Sequence, residues 1–274
     1  MYIIINDKII RRENATVSAF NRSFRYGDGF FETMKMIDGE IKLASFHFER
    51  MFSAMDAFMF QKPSFYTDNF FYEKIKLLAE KNSQWKAARI RLMFYRGDGG
   101  LYDVQNHFPN YILETLALEN TGEALNENGL VVDIYPHARK ACDAFSHIKH
   151  NNFLPYTMAA LWAKQNRLND AIVLNSHGNI ADATIANIFL IKDGMIQTPA
   201  LSEGCINGVM RRYMLSVLRQ KNIPVSENVI TPEELFSADE IFFTNAVYGM
   251  RWVAQAGNTF YGNNLCRQIN DLSA

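Results

Sequence analysis

An excess of charge of either sign is missing from this sequence: 28 lysines and arginines face 29 aspartates and glutamates, a net charge of −1 over 274 residues. No basic field is available for a nucleic acid or an anionic membrane, so any anion site has to be local. Long apolar runs are missing too; no stretch approaches the ~18 uninterrupted apolar residues of a membrane span. The opening Met1-Tyr2-Ile3-Ile4-Ile5-Asn6-Asp7-Lys8 lacks a basic start, a sustained apolar segment and a small-residue cleavage site. No signal peptide is therefore expected, and the chain reads as soluble and cytoplasmic. Cysteine is scarce: Cys142, Cys205 and Cys266 are odd in number and far apart, which gives neither a disulfide framework nor metal-ligand spacing. The sequons at Asn14 and Asn21 read as chance matches without a secretory context. Internal repeats and low-complexity tracts are also wanting. What is present is a globular balance, 48% hydrophobic and 21% charged residues, enough to bury a full core.

The chain divides into two halves. Tyr2 to Ile5 and Ile9 to Arg11 predict a hairpin around Asn6-Asp7, and Phe30 to Ile37 and Glu40 to Leu43 predict another around Asp38-Gly39. Ser45 is placed to cap a helix through Met55, and Asp68 to Glu80 has helical periodicity. Strands are expected over Ala88 to Tyr95 and Tyr111 to Leu118. The polar stretch 119–129, with two glycines and no periodicity, is expected to link domain 1–118 to domain 130–274. In the second half, strands are expected over Leu130 to Tyr135, Ala171 to Leu174, Asn187 to Ile191, Ile241 to Thr244 and Arg251 to Ala254, and helices over Thr157 to Arg167 and Asn207 to Lys221. Mixed strands and helices in both halves predict two α/β or α+β domains.

Four segments depart from ordinary connectors. Arg22 to Thr33 places Gly27-Asp28-Gly29 before an aromatic strand, which alone reads as a tight turn. In His47-Phe48-Glu49-Arg50 the arginine, one turn into a helix, could reach a phosphate with paired donors, or simply form a surface ion pair. His147 to Leu154 contains Lys149, a candidate amine for an aldehyde cofactor, against the plainer reading of a solvated lysine. Its two histidines, His147 and His150, find no further metal-ligand pattern. Gly204 to Arg211 opens a helix with a glycine-containing loop, whose unpaired N–H groups suit a phosphate, without the Gly-Lys-Ser/Thr ending of a nucleotide loop.

In order along the chain stand Tyr26-Gly27-Asp28-Gly29-x-Phe31-Glu32, His47-x-x-Arg50, the Lys149 segment, Asp182-x4-Asn187-x-Phe189, Asn207-Gly208-x-x-Arg211 and Thr244-Asn245-Ala246. This set resembles the class IV aminotransferases, the fold-type IV pyridoxal phosphate enzymes that include branched-chain and D-amino-acid aminotransferases and 4-amino-4-deoxychorismate lyases. The resemblance runs from about Asn6 to Val253. It implies pyridoxal 5'-phosphate held as a Schiff base on Lys149, which would also shuttle the substrate proton. Asp182 would pair with the pyridine nitrogen, and Asn187 would be another cofactor-binding residue. Arg50, the N–H groups near Gly208 and Val209, and Thr244 with Asn245 would hold the phosphate. Phe31, Glu32 and Arg96 would face the substrate. The family usually has glutamate where this chain has Asp182, one methylene shorter. A homodimer is implied as well.

The reaction is less constrained. Ile148-Lys149-His150-x-Asn152, Asn207 to Arg211 and Arg96-Gly97-x-Gly99-Gly100 look like the lyases, and Leu154 stands where branched-chain enzymes usually carry tyrosine. The expectation leans to pyruvate elimination from aminodeoxychorismate giving 4-aminobenzoate. The alternative is transamination of a branched-chain or D-amino acid. A third reading is a cofactor-binding homologue without catalysis, suggested by Asp182 alone.

Overall fold

The computed structural model describes residues 1–103, 107–119 and 124–273. Two compact units emerge: Met1–Thr121 with Ile148–Asn152, and Gly122–His147 with Phe153–Ala274. Of the expected linker 119–129, residues 120–123 lie outside the described residues.

The first unit holds β1 (Tyr2–Ile5), β2 (Lys8–Arg11), α1 (Arg22–Tyr26), β3 (Gly29–Ile37), β4 (Glu40–Ile41), α2 (Ala44–Ala57), α3 (Asp68–Lys81), β5 (Ala87–Tyr95) and β6 (Asn110–Ala117). Its described strands form one antiparallel sheet in the order β2-β1-β6-β5-β3-β4. Alternation along β3 and β5 turns Phe30, Met34, Met36, Ile90, Leu92 and Phe94 to one face, where Met51 and Met55 of α2 and Phe71, Ile75 and Leu78 of α3 close the core. Glu32 shares that face by the same period, while Phe31 points to the other.

Two local expectations change. The segment read as a tight turn contains α1, because the Asn21 side chain accepts the N–H groups of Ser23 and Phe24 and so caps a short helix. Ser45 is inside α2 rather than at its cap; the helix starts at Ala44 after Leu43, whose φ is 55°.

The second unit holds β7 (Leu130–Lys140), α4 (Leu154–Gln165), β8 (Asp170–Asn175), β9 (Ile180–Ala183), β10 (Asn187–Lys192), β11 (Met195–Pro199), α5 (Val209–Gln220), β12 (Val225–Asn228), α6 (Pro232–Ser237), β13 (Glu240–Asn245), β14 (Gly249–Ala256), β15 (Thr259–Phe260) and α7 (Asn264–Ser273). Its described strands form a mixed sheet ordered β12-β11-β10-β13-β14-β7-β8-β9, with β15 on β14. Val132, Ile172, Ile188, Ile241 and Val253 build one core, and Tyr135, Ala171 and Val173 pack with Tyr156, Ala159 and Ala163 of α4 in another. β7 outruns its expected end at Tyr135: Pro136 falls inside a register shift between Ile134 and Arg139, beyond which pairing with β8 resumes. That continuation carries Lys140.

Candidate active site

Two groups of candidate residues occur, one in each unit. In the first, the Lys149 segment is tied to the start of β3. Phe31 N–H donates to Lys149 O at 3.0 Å and Asn151 N–H to Gly29 O at 2.9 Å, while Ile148 enters the core. Residues 148–152 thus group with the first unit, although the sequence places Lys149 in the carboxy-terminal domain. Backbone pairing outweighs position along the chain. Gly27 before β3 and Gly29 at its start make this closeness possible. Gly27 has φ 69°, and a Cβ there would lie 2.0 Å from Asn152 Oδ1; one on Gly29 would lie 2.3 Å from Phe94 O.

Around Lys149 stand aromatic and charged groups. Its Nζ lies 4.8 Å from the centre of the Phe31 ring, and the Arg91 guanidinium lies 3.8 Å from the same ring. On the helix face of β3, Glu32 accepts His47 Nδ1 at 2.7 Å and Arg50 Nε and a terminal Arg50 nitrogen at 2.7 Å each. His47 and Arg50, three apart on α2, share one side of the helix. Burial raises the Glu32 pKa, but Arg50 and His47 outweigh it and hold the carboxyl down at about 2. Burial lowers the His47 pKa, against the pull of Glu32, so the imidazole is neutral with its Nδ1–H toward Glu32.

Glu32 and Arg96, both expected to face the substrate, are placed by the structure among protein partners. Glu32 is 1% exposed and spends both oxygens on α2. Arg96 is 5% exposed. It donates to Asp28 at 3.0 Å, to Phe58 O and to His107 at 2.8 Å, and it stacks over Phe60 at 4.6 Å. Asp28 also receives Arg22 Nε at 2.8 Å, so the acid of the Gly-Asp-Gly segment ties two arginines together. Phe31 keeps its place beside Lys149.

In the second unit, β9, β10, β13 and the start of α5 bring four expected residues together. Asn187 pairs in register with Thr244. Its Nδ2 donates to Asp182 Oδ1 at 2.8 Å and to Ile206 O at 2.7 Å. The Asn187 side chain presses against Gly208, where a Cβ would lie 1.9 Å from Asn187 Oδ1; only glycine fits. α5 then begins with Gly208 as its cap and no side-chain cap bond, leaving the N–H groups at Val209 and Met210 for a ligand. Asn245 Oδ1 accepts the N–H groups of Val247 and Tyr248, which makes it the builder of the turn after β13.

Sequence reasoning missed Lys140 and Tyr156, both bonded to Asp182. Lys140 lies five residues past Tyr135, where the strand was expected to end, so no strand pattern pointed to it. Among the described residues no three His, Cys, Asp or Glu side chains gather as a metal site requires, and no helix is long and apolar enough to cross a membrane.

These residues fit a phosphorylated pyridine cofactor. Thr244 Oγ1 is buried without a hydrogen-bond partner, a polar group that costs stability unless a ligand completes it. It stands on the strand next to Asn187, which itself touches the uncapped start of α5. A carboxylate, Asp182, is bonded into the same cluster.

The family model described as amino-transferase class IV matches residues 29–256. A D-alanine aminotransferase of Listeria monocytogenes is 25% identical over 253 residues, 89% of this chain and 84% of the relative. An aminodeoxychorismate lyase of Vibrio harveyi is 27% identical over 232 residues, 84% of this chain and 83% of the relative. The crystal structure of the Escherichia coli branched-chain amino acid aminotransferase superposes with a TM-score of 0.86 at 22% identity, covering 98% of this chain and 92% of that one. The fold is the mixed α/β architecture of fold-type IV.

Proposed function

The chain belongs to the class IV aminotransferases, enzymes that depend on pyridoxal phosphate, and on that premise we propose that it is a 4-amino-4-deoxychorismate lyase, working as a cytoplasmic homodimer. The observation that carries this reading is the Phe31 ring with Lys149 Nζ at 4.8 Å and the Arg91 guanidinium at 3.8 Å. Lys149 is taken up by the cofactor, and the Arg91 guanidinium on the same ring suits a substrate carboxylate, which aminodeoxychorismate has.

When bound, pyridoxal phosphate would supply an electron-withdrawing ring beside the reacting carbon of the substrate. Lys149 provides the amine that holds the cofactor, and then takes the proton from the carbon bearing the substrate's amino group. Breakage of the C–O bond on the neighbouring carbon releases the enol of pyruvate, which gains a proton, and leaves 4-aminobenzoate. Asp182 would pair with the ring nitrogen, and Asn187, which donates to its Oδ1, would fix the angle of the carboxylate. Arg50, oriented by Glu32, would bind the phosphate, as would the N–H groups at Val209 and Met210 and the Thr244 hydroxyl. Arg91 receives a substrate carboxylate.

A second reading, amino-acid transamination, is favoured by the D-alanine aminotransferase relative, which matches 89% of this chain. The same lysine serves both. Protein loaded with pyridoxal phosphate and given aminodeoxychorismate should release pyruvate and 4-aminobenzoate in equal amounts, with no 2-oxo acid required. Loss of the visible band on adding a D- or L-amino acid, its return with a 2-oxo acid, and no pyruvate from aminodeoxychorismate would establish transamination instead.

A further inference from the structure

Asp182, 2% exposed, is surrounded by protein donors. Its Oδ2 accepts the Tyr156 hydroxyl at 2.7 Å, the Ile206 N–H at 2.8 Å and Lys140 Nζ at 3.3 Å, whereas Oδ1 accepts Asn187 Nδ2 at 2.8 Å. Three donors gather on one oxygen, and the other keeps a second acceptor position for a ligand. The Lys140 side chain is itself only 7% exposed, and its Nζ lies 5.2 Å over the Tyr156 ring. Burying a lysine is costly unless its charge is paired. Nothing in the motif set that identifies the family calls for this one.

The remaining titratable groups facing Asp182 are neutral. Burial, with Asp182 adding to it, pushes the Tyr156 hydroxyl well above its ordinary value. The same two causes push the Cys205 thiol up to about 12. Among the described groups around this carboxylate, coming from β7, α4, β10 and the loop before α5, Lys140 is the one that brings a charge.

We propose that Lys140 is a positioning residue that acts through Asp182: it offsets the carboxylate's charge and so loosens the hold of the site on a proton at the cofactor's ring nitrogen. This rests on the reading of Asp182 as the ring-nitrogen partner. A lone buried carboxylate favours a protonated pyridine with its full charge, and a cation beside that carboxylate takes much of the effect away. A ring held less firmly protonated draws off less charge. Elimination that creates an aromatic product needs less of that help than transamination, so the pair tunes the site toward the proposed lyase.

The test uses the holoprotein loaded with pyridoxal phosphate carrying 15N in its ring, with the 15N chemical shift followed against pH. Lys140→Met should hold the ring proton about tenfold more tightly, a titration displaced upward by ~1 pH unit. Lys140→Gln, which keeps a donor without the charge, should follow it and guards against a variant that fails to fold. Lys140→Arg should restore the wild-type curve. If Asp182→Asn moves the titration while Lys140→Met and Lys140→Gln leave it in place, Lys140 is only a packing residue and the inference is overturned. If Asp182→Asn also leaves it in place, the assignment of Asp182 to the ring nitrogen fails with it.

Discussion

Glu32 in the first unit and Asp182 in the second are both buried carboxylates, yet they are built in different ways. Glu32 meets an arginine and a histidine from a single helix, three residues apart. Asp182 meets one lysine and three neutral donors drawn from β7, α4, the loop before α5 and β10. The first arrangement uses up both oxygens and fixes Arg50 in place. The second leaves an acceptor position open. One acid thus serves to hold a cation still, and the other is held still to serve a ligand.

The largest break in this contrast should come from Glu32→Gln. It takes the Glu32 charge away from the half-buried Arg50 and should lower stability by about 3 kcal/mol in chemical denaturation. Acid should reveal the same pair. The Glu32 carboxyl is held at about 2 against an ordinary 4.5, so its contribution is complete above pH 4.5 and drains away as pH falls toward 2. The loss, on the order of 3 kcal/mol, should vanish from the pH profile of Glu32→Gln. Asp182→Asn leaves the buried Lys140 without the carboxylate it pairs with, so it should also cost some stability, while cofactor binding holds and turnover falls roughly 100-fold, as denaturation, cofactor titration and steady-state kinetics would separate. The smallest effect is expected at Thr244→Val. The hydroxyl has no protein partner to lose, so the apoprotein should be as stable as wild type, with cofactor affinity weaker by about 1 kcal/mol in equilibrium dialysis.

The same contrast explains what was legible in the sequence. His47-x-x-Arg50 is local, and a helix brings its two ends to one side, so the pair stood out by its spacing, although a surface ion pair remained an equal reading until the resemblance was drawn. Asp182, Asn187, Gly208 and Thr244 were found only as ordered motifs, because the strand pairings that join them span long separations. Lys140 and Tyr156 were missed for a related reason. Pro136 signals the end of a strand, yet β7 absorbs it in a register shift, and α4 starts earlier than its periodicity suggested, at Leu154. Glu32 and Arg96 illustrate the reverse case: their chemistry suited a substrate, but alternation along β3 turns Glu32 toward α2, and Arg96 is taken by Asp28. Several short elements, among them β9, β11 and α7, left no clear period to read.

The central claim is that Lys149 is the amine that carries the cofactor. Reduction of the pyridoxal phosphate-loaded protein with borohydride, followed by peptide mass mapping, tests it most directly. A phosphopyridoxyl group on Lys149, absent from Lys149→Ala, is the predicted result. The group on another lysine, Lys140 above all, or no covalent group in a protein that binds the cofactor, would contradict the account.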